Sequence, residues 1–197
     1  MSRLPQIDPQ QATAEQAPLF TAVKKKLGRV PNLLRALANS PAALRGYLDF
    51  SGAISAGEGL TAEQREIVAL AVGEANGCEY CLAAHSTIGK MVGLSPEGIE
   101  AARRSDGVDD ESRAVARFAY AVLESRGRVS DSDLDAFHRA GFGDDAVAEI
   151  VAHVALNVYT NFFNNLAETD VDFPAAAPLA SSQRTEVVCS TDCGSAN

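Results

Sequence analysis

Apolar side chains recur every three to four residues along most of this chain, and the strict alternation of half-buried strands is hard to find. A first helix is predicted from Pro18 to Leu27. The longest periodic segment, GDDAVAEIVAHVALNVYTNFFNNLAETD, runs from Gly143 to Asp170. Breakers such as Asn76-Gly77 separate the segments between them. The pattern predicts an all-α bundle of about seven or eight helices.

Helix start signals support this division of the chain. Ser40 and Ser95 each precede a proline, an arrangement typical of an N-cap residue followed by the first helical position. Thr61 is followed three residues later by Gln64, which is the spacing of a capping box. These signals predict where the helices begin more directly than where they end.

The composition changes at Pro174, so we expect a helical domain over residues 1–173 and a flexible tail over residues 174–197. The tail is rich in Ala, Ser and Pro and lacks aromatic residues, which is typical of disordered chain. It carries Cys189 and Cys193, whose role the sequence leaves open. They could relay electrons to other thiols, bind a metal, form their own disulfide, belong to a ribosomally made modified peptide, or have no role.

Composition and charge narrow the functional classes. The 197 residues suffice for one domain with a sizeable core. The formal net charge of −9 disfavours nucleic-acid binding, because a negative surface repels phosphate. No apolar run reaches the roughly 20 residues of a membrane helix, and the N-terminus lacks the apolar core of a secretory signal. We therefore expect a cytoplasmic protein, in which closely spaced thiols are more often catalytic or metal-binding than structural.

Two of the four cysteines and one of the three histidines lie within the stretch NGCEYCLAAH. Cys78 follows the Asn-Gly break and therefore lies at a helix N-terminus, where free N–H groups and the helix dipole favour a thiolate. Cys81 follows within the first turn, at the spacing of redox C-x-x-C pairs. His85 lies four residues after Cys81 on the same helix face, where an imidazole can help to ionise the thiol.

Glu66 is the candidate group for orienting His85. One straight helix would hold Glu66 about 18 Å from Cys78. If the chain instead folds back at Asn76-Gly77, Glu66 lies about 15 Å along one arm of a helical hairpin and His85 about 12 Å along the other. The two side chains are then nearly level. The sequence therefore predicts a proton relay from Glu66 through His85 to Cys81.

Glu66, Cys78, Cys81 and His85 form the pattern E-x11-C-x-x-C-x3-H, which resembles that of alkylhydroperoxidase D in the carboxymuconolactone decarboxylase superfamily. The segments LGRVPNLLRALANSPAALRGYLDF and ALNVYTNFFNNLAETDVDFP resemble the opening segment and the closing helix of its peroxidase-related branch. The resemblance covers the chain from about residue 19 to residue 174. It implies an all-helical fold, assembly as a homo-oligomer such as a trimer or hexamer, and reduction of hydroperoxides by a dithiol cycle.

By this resemblance, Cys81 is the peroxidatic thiol, Cys78 the resolving thiol, and His85 with Glu66 the proton relay. The helix-dipole argument alone favours Cys78 as the nucleophile. The implied partners are a hydroperoxide substrate and an external dithiol reductant, with no bound organic cofactor. Tyr80 departs from the pattern, since the best-known members carry a histidine there, and its effect on peroxide reduction stays open. Muconolactone decarboxylation is disfavoured, because members with that activity generally lack the C-x-x-C pair.

Other interpretations of these residues remain. The cysteine pair could oxidise without turnover in a redox sensor or scaffold protein, or could simply fill the core. It could also bind a metal with His85, although three ligands on one helix surround an ion poorly. We expect His153 to be a core histidine, because it lies on an apolar helix. We expect Asn161, Asn164 and Asn165 to make hydrogen bonds at the helix end.

Overall fold

The computed structural model describes residues 2–179. Within this range the chain forms nine α-helices and one 3-10 turn, and no strand. The all-α prediction is confirmed, and the helix count is one above the upper predicted number. The helices are α1 Gln16–Leu27, α2 Asn32–Leu37, α3 Pro41–Ile54, α4 Ala62–Ala75, α5 Glu79–Val92, α6 Pro96–Arg103, α7 Asp110–Ser125, α8 Asp131–Arg139 and α9 Asp144–Ala167, and the 3-10 turn is Pro9–Gln11.

Side-chain caps begin the helices where the sequence predicted them. The N-cap residues of α3, α4 and α6 are Ser40, Thr61 and Ser95. Thr61 and Gln64 form the predicted reciprocal capping box at α4. The start of α1 differs, since this helix begins at Gln16 rather than Pro18. The Gln16 side chain accepts a hydrogen bond from the Thr13 N–H, which stabilises a turn before the proline.

α4 lies at the centre of the bundle. Its residues from Ile67 to Val72 are all buried, which is typical of a helix surrounded on every side. α5, α6, α7 and α9 pack around it. One hydrophobic cluster fills the space between α4, α7 and α9, and a second joins α1, α2 and α3 to the start of α5. The second cluster includes Cys78 and Cys81, so the candidate thiols are part of the core.

α9 is long and apolar enough to cross a membrane by length and composition alone. The core helix of a water-soluble protein passes the same test, and α9 packs against α3, α4, α5 and α7. Its inward face also carries buried polar side chains, among them Asn157 and Asn164. These contacts make α9 a core helix with one exposed apolar face. The large hydrophobic residues exposed on it are Val151, Tyr159, Phe162 and Leu166.

The chain after α9 is held against the bundle by Asp172 and Arg103. Asp172 Oδ2 accepts hydrogen bonds from Arg29 Nη1 at 2.8 Å and from the Asn32 N–H at 3.1 Å. Arg103 Nη1 donates to the Ala177 carbonyl at 2.6 Å. The C-terminal segment is therefore attached to the turn between α1 and α2 and, further on, to α6.

The predicted domain boundary at residue 174 remains a prediction. Cys189 and Cys193 lie outside the described residues, and the alternatives for these two cysteines stay open. The Arg103 contact shows only that the chain is still attached to the helices at residue 177.

Phe137 is expected to contribute strongly to stability, because its ring is 2% exposed and stacks on Phe118 and Phe142 at centroid distances of 4.4 and 4.5 Å. Phe137→Ala should lower the free energy of unfolding by about 3–5 kcal/mol, since it leaves a cavity in the core. Urea denaturation followed by circular dichroism measures the change. The control is Phe50→Ala, which removes a 40% exposed ring and should cost less than about 1 kcal/mol. Equal losses in the two variants would contradict this assignment.

Candidate thiol active site

The chain reversal at Gly77 places Cys78 at the N-cap of α5. Gly77 adopts the left-handed conformation with φ +59°, which is costly for a residue with a Cβ. The Cys78 sulfur accepts a hydrogen bond from the Cys81 N–H at 3.4 Å. Both cysteines are free thiols, Cys78 fully buried and Cys81 3% exposed. The predicted new helix after Asn76-Gly77 is confirmed.

α4 and α5 form an antiparallel hairpin that brings Glu66 and His85 together. Glu66 Oε2 lies 2.7 Å from His85 Nδ1, and the two side chains are 15% and 24% exposed. Burial lowers the pKa of His85, but the neighbouring carboxylate of Glu66 more than offsets burial, so the pKa is raised. His85 therefore holds a proton more readily than a free imidazole does.

The two thiols differ in acidity. The pKa of Cys81 is lowered to about 6, chiefly by its hydrogen bond with Cys78. Burial acts to raise this pKa, and the charge of His85 helps to lower it. The same hydrogen bond, together with burial, raises the pKa of Cys78. At pH 7, a thiol with a pKa of about 6 is roughly nine-tenths thiolate. The contacts of the sulfur atoms thus outweigh the helix dipole, which by itself favours ionisation of Cys78.

Asn164 is a site residue that the sequence analysis missed. Its Nδ2 donates to Cys81 Sγ at 3.4 Å, and its side chain is 3% exposed. This hydrogen bond helps to lower the pKa of Cys81. The expectation of helix-end hydrogen bonding is wrong for Asn164. The available signal was the spacing of Asn157, Asn161 and Asn164, which places three amides on one face of a largely apolar helix.

Tyr80 connects the thiol helix to the C-terminal segment. Its hydroxyl donates to Asp172 Oδ1 at 2.8 Å and accepts from the Leu33 N–H at 3.2 Å. Its ring meets the Phe173 ring edge to face at 5.7 Å. Burial raises the pKa of Tyr80, so the phenol stays protonated. Because this proton is held by Asp172, Tyr80 has a positioning role at the place where the family pattern has a histidine.

A cavity of about 260 Å³ lies beside Cys81. It also contacts Glu66 and His85, so three of the four predicted site residues share it, while Cys78 is enclosed in the core. His153 is buried, as expected for a core histidine, but it lines this cavity as well. The volume is below the usual range for ligand pockets, which favours a small molecule. Further polar residues of the lining are Tyr47, Ser51, Ser55, Arg65, Tyr80, Asn157 and Thr160.

Among residues 2–179, no three His, Cys, Asp or Glu side chains are grouped as a metal site requires. Cys78 and Cys81 hydrogen-bond to each other, and His85 Nδ1 is engaged by Glu66. Structural zinc sites in proteins usually have four ligands around the ion. The arrangement of these side chains therefore favours thiol chemistry over the metal-binding alternative.

Cys81 is expected to be alkylated by iodoacetamide with an inflection near pH 6, because the thiolate is the nucleophile. Tandem mass spectrometry after quenching distinguishes Cys81 from Cys78. The alkylation of Cys78 should remain slow through neutral pH, since its pKa is raised. An inflection for Cys81 at about 8.5, the ordinary value for cysteine, would contradict this assignment.

Asn164→Leu should raise the pKa of Cys81 from about 6 to roughly 7, because it removes a hydrogen bond to the thiolate. The same alkylation titration measures this change. Asn165→Leu is the matched control, since Asn165 is exposed and binds the Asn76 carbonyl instead. An equal shift in both variants, or none in Asn164→Leu, would exclude a role for the Asn164 contact.

The central helices of the chain match a known protein family. Residues 41–125, which span α3 to α7, match the model of the carboxymuconolactone decarboxylase family. No curated protein sequence matches the chain significantly. The matched range includes Glu66, Cys78, Cys81 and His85, so the family match covers the whole predicted thiol site.

Solved structures match over most of the chain. The alkylhydroperoxidase AhpD core of an uncharacterized peroxidase-related protein from Ralstonia eutropha JMP134 is 26% identical, with a TM-score of 0.79 over 87% of this chain and 92% of that chain. An uncharacterized peroxidase-related protein from Silicibacter sp. TM1040 is 26% identical, with a TM-score of 0.74 over 85% and 88%. A cysteine-to-alanine variant of the debrominase Bmp8, in complex with 2,3,4-tribromopyrrole, shares the fold at 22% identity, with a TM-score of 0.71 over 87% and 94%. The central helices therefore match the carboxymuconolactone decarboxylase family, and the chain as a whole is similar to alkylhydroperoxidase AhpD-like and peroxidase-related structures.

Proposed function

We propose that this protein is a thiol-dependent peroxidase that reduces small hydroperoxides through a dithiol–disulfide cycle of Cys78 and Cys81. The observation that carries the proposal is geometric: Cys81 lines one cavity with His85 and Glu66, and Cys78 lies beside it in the same helix turn. The contacts of Cys81 also lower its pKa to about 6. A thiolate in such a cavity can attack an entering electrophile, and a second thiol beside it can resolve the oxidised sulfur. The family match and the peroxidase-related structures support the same class of chemistry.

In the first step, the Cys81 thiolate attacks the terminal oxygen of the hydroperoxide. A sulfur–oxygen bond forms and the oxygen–oxygen bond breaks, so the sulfur is oxidised by two electrons to a sulfenic acid. The departing alkoxide takes a proton from His85 and leaves as an alcohol. Glu66 holds the protonated imidazole in place through the 2.7 Å contact.

In the second step, the Cys78 sulfur attacks the sulfenic sulfur of Cys81. A disulfide forms, and the Cys78 proton leaves with the hydroxyl group as water. The raised pKa of Cys78 suits this order, because Cys78 keeps its proton until Cys81 has been oxidised. An external dithiol then reduces the disulfide by thiol–disulfide exchange and is itself oxidised to a disulfide.

The burial of Cys81 limits what can reach it. The residue is 3% exposed and lines a cavity of about 260 Å³. A folded protein disulfide cannot enter a cavity of this size, whereas a small hydroperoxide can. Reduction by a dithiol partner therefore requires either a small dithiol or a partner group that reaches into the cavity.

Assembly and location remain proposals. We propose a homo-oligomer, a trimer or hexamer as the family resemblance implies, formed through the exposed apolar face of α9. The side chains that support this surface are Val151, Tyr159, Phe162 and Leu166. A cytoplasmic location suits the cycle, because cytoplasmic thiols are kept reduced and an external dithiol is at hand.

A redox sensor or scaffold protein is one alternative for the cysteine pair, and metal binding by Cys78, Cys81 and His85 is the other. A sensor or scaffold protein would form the same disulfide but would not turn over. The debrominase is 22% identical to this chain. This likeness supports a shared fold but gives no evidence about the substrate of this chain. Steady-state consumption of hydroperoxide in the presence of excess dithiol separates the enzyme from the sensor.

Cys81→Ser should abolish consumption of tert-butyl hydroperoxide with dithiothreitol in excess, because it removes the nucleophile. In a background carrying Cys189→Ser and Cys193→Ser, one equivalent of peroxide should remove two thiols from Cys78 and Cys81. Cys78→Ser in that background should instead leave a sulfenic acid on Cys81, trapped by dimedone and detected by mass. Unchanged turnover in Cys81→Ser would rule out the assigned nucleophile, and oxidation without turnover in the parent would favour the sensor.

A further inference from the structure

The cavity beside Cys81 has a second group of polar side chains that the peroxidase cycle does not use. Arg65 and His153 both line it, from α4 and α9 respectively. Neither residue contacts the reacting sulfur in the proposed cycle. The contacts of these two side chains indicate which kind of substrate group the cavity is built to hold.

Arg65 is a cation with no carboxylate partner in the described part of the chain. Its Nη2 donates to the Gly57 carbonyl, while its buried Nε has no hydrogen-bond partner among the described residues. It forms no salt bridge within residues 2–179. The nearby carboxylates have other partners. Glu66 contacts His85, and Glu149 accepts hydrogen bonds from the Gly59 and Leu60 N–H groups just before α4.

His153 is also incompletely satisfied. It is 5% exposed, and its Nε2 is buried without a hydrogen-bond partner in the described part of the chain. Burial lowers the pKa of His153 and the charge of Arg65 lowers it further, while Glu149 and a hydrogen bond with the Ile54 backbone oppose them. The balance keeps the imidazole neutral. The neutral imidazole has one N–H, which the Ile54 carbonyl accepts, so its unpartnered Nε2 is an acceptor. Arg65 is therefore the side chain of this pair that presents a donor without an acceptor.

We propose that Arg65 forms a carboxylate-binding subsite in this cavity, so that the physiological substrate is a small hydroperoxide carrying a carboxylate group. A carboxylate is the acceptor that a guanidinium binds most strongly, through charge-assisted hydrogen bonds. Arg65 and Cys81 line the same cavity of about 260 Å³, so a carboxylate held at Arg65 leaves the rest of a small molecule in the space that Cys81 borders. The claim that the substrate is a hydroperoxide rests on the proposed function, whereas the claim that the cavity binds a carboxylate does not.

The subsite is tested by protection of Cys81 against alkylation by iodoacetamide. Acetate, butyrate and hexanoate are each compared with the corresponding amide, which has the same shape and no charge. We expect at least one carboxylate to bind about tenfold more tightly than its amide. In Arg65→Gln this preference should disappear, and in Arg65→Lys it should be partly kept. Because alkylation requires no peroxide turnover, the result decides the subsite even if peroxidase activity is absent.

The matched control is Arg45→Gln, which removes the same charge from an exposed position on α3. It should keep the full preference for carboxylate over amide. Equal protection by acids and amides, no protection by either, or equal losses in Arg45→Gln and Arg65→Gln would each overturn the proposal. Arg65→Met provides a second test if Arg65→Gln does not fold, because it keeps the length of the side chain and removes the guanidinium. The carboxylate preference should then be lost, and an unchanged preference would overturn the subsite.

A comparison of two hydroperoxides tests whether a carboxylate group makes a hydroperoxide a better substrate. The probe is 4-hydroperoxy-4-methylpentanoate against its methyl ester, with dithiothreitol as reductant. We expect kcat/KM to be about tenfold higher for the acid, and this ratio to fall in Arg65→Gln but not in Arg45→Gln. Turnover of both compounds at equal kcat/KM would refute the substrate class and leave the peroxidase proposal standing. Turnover of neither, with carboxylate protection intact, would refute the peroxidase proposal instead.

Discussion

The hydrogen bond between Glu66 and His85 joins the two arms of the α4–α5 hairpin, and the candidate site depends on it. The chain must reverse at Gly77 for these residues to meet, and the left-handed conformation there makes the reversal possible. The same reversal makes Cys78 the N-cap of α5 and places its sulfur next to Cys81. One turn of backbone therefore positions both the proton relay and the thiol pair.

The site combines two requirements that oppose each other. Burial excludes water and restricts access to small molecules, but it also disfavours a thiolate. Hydrogen bonds from Cys78 and Asn164, together with the charge of His85, overcome this penalty at Cys81. At Cys78 the balance has the other sign, because there the hydrogen bond favours the protonated thiol. Two chemically identical side chains in one helix turn thus acquire different acidities from their partners alone.

The C-terminal segment is part of the support of this site. Asp172 binds Tyr80 on the thiol helix, and also Arg29 and the N–H of Asn32. The Tyr80 hydroxyl donates to Asp172 and accepts from the Leu33 N–H. Tyr80 therefore ties the thiol helix both to the C-terminal segment and to α2.

The sequence by itself determined the all-α class, the caps at Ser40, Thr61 and Ser95, and the thiol cluster from Cys78 to His85. These features are local, since capping, chain breaks and i, i+4 spacing act within a few residues. Even the meeting of Glu66 and His85 followed from a single hairpin. Only the tertiary structure decided that Asn164, 83 residues from Cys81, donates to its sulfur, and that Arg65 and His153 line one cavity. Such contacts depend on how the helices pack, and packing is set by the whole core rather than by any short segment.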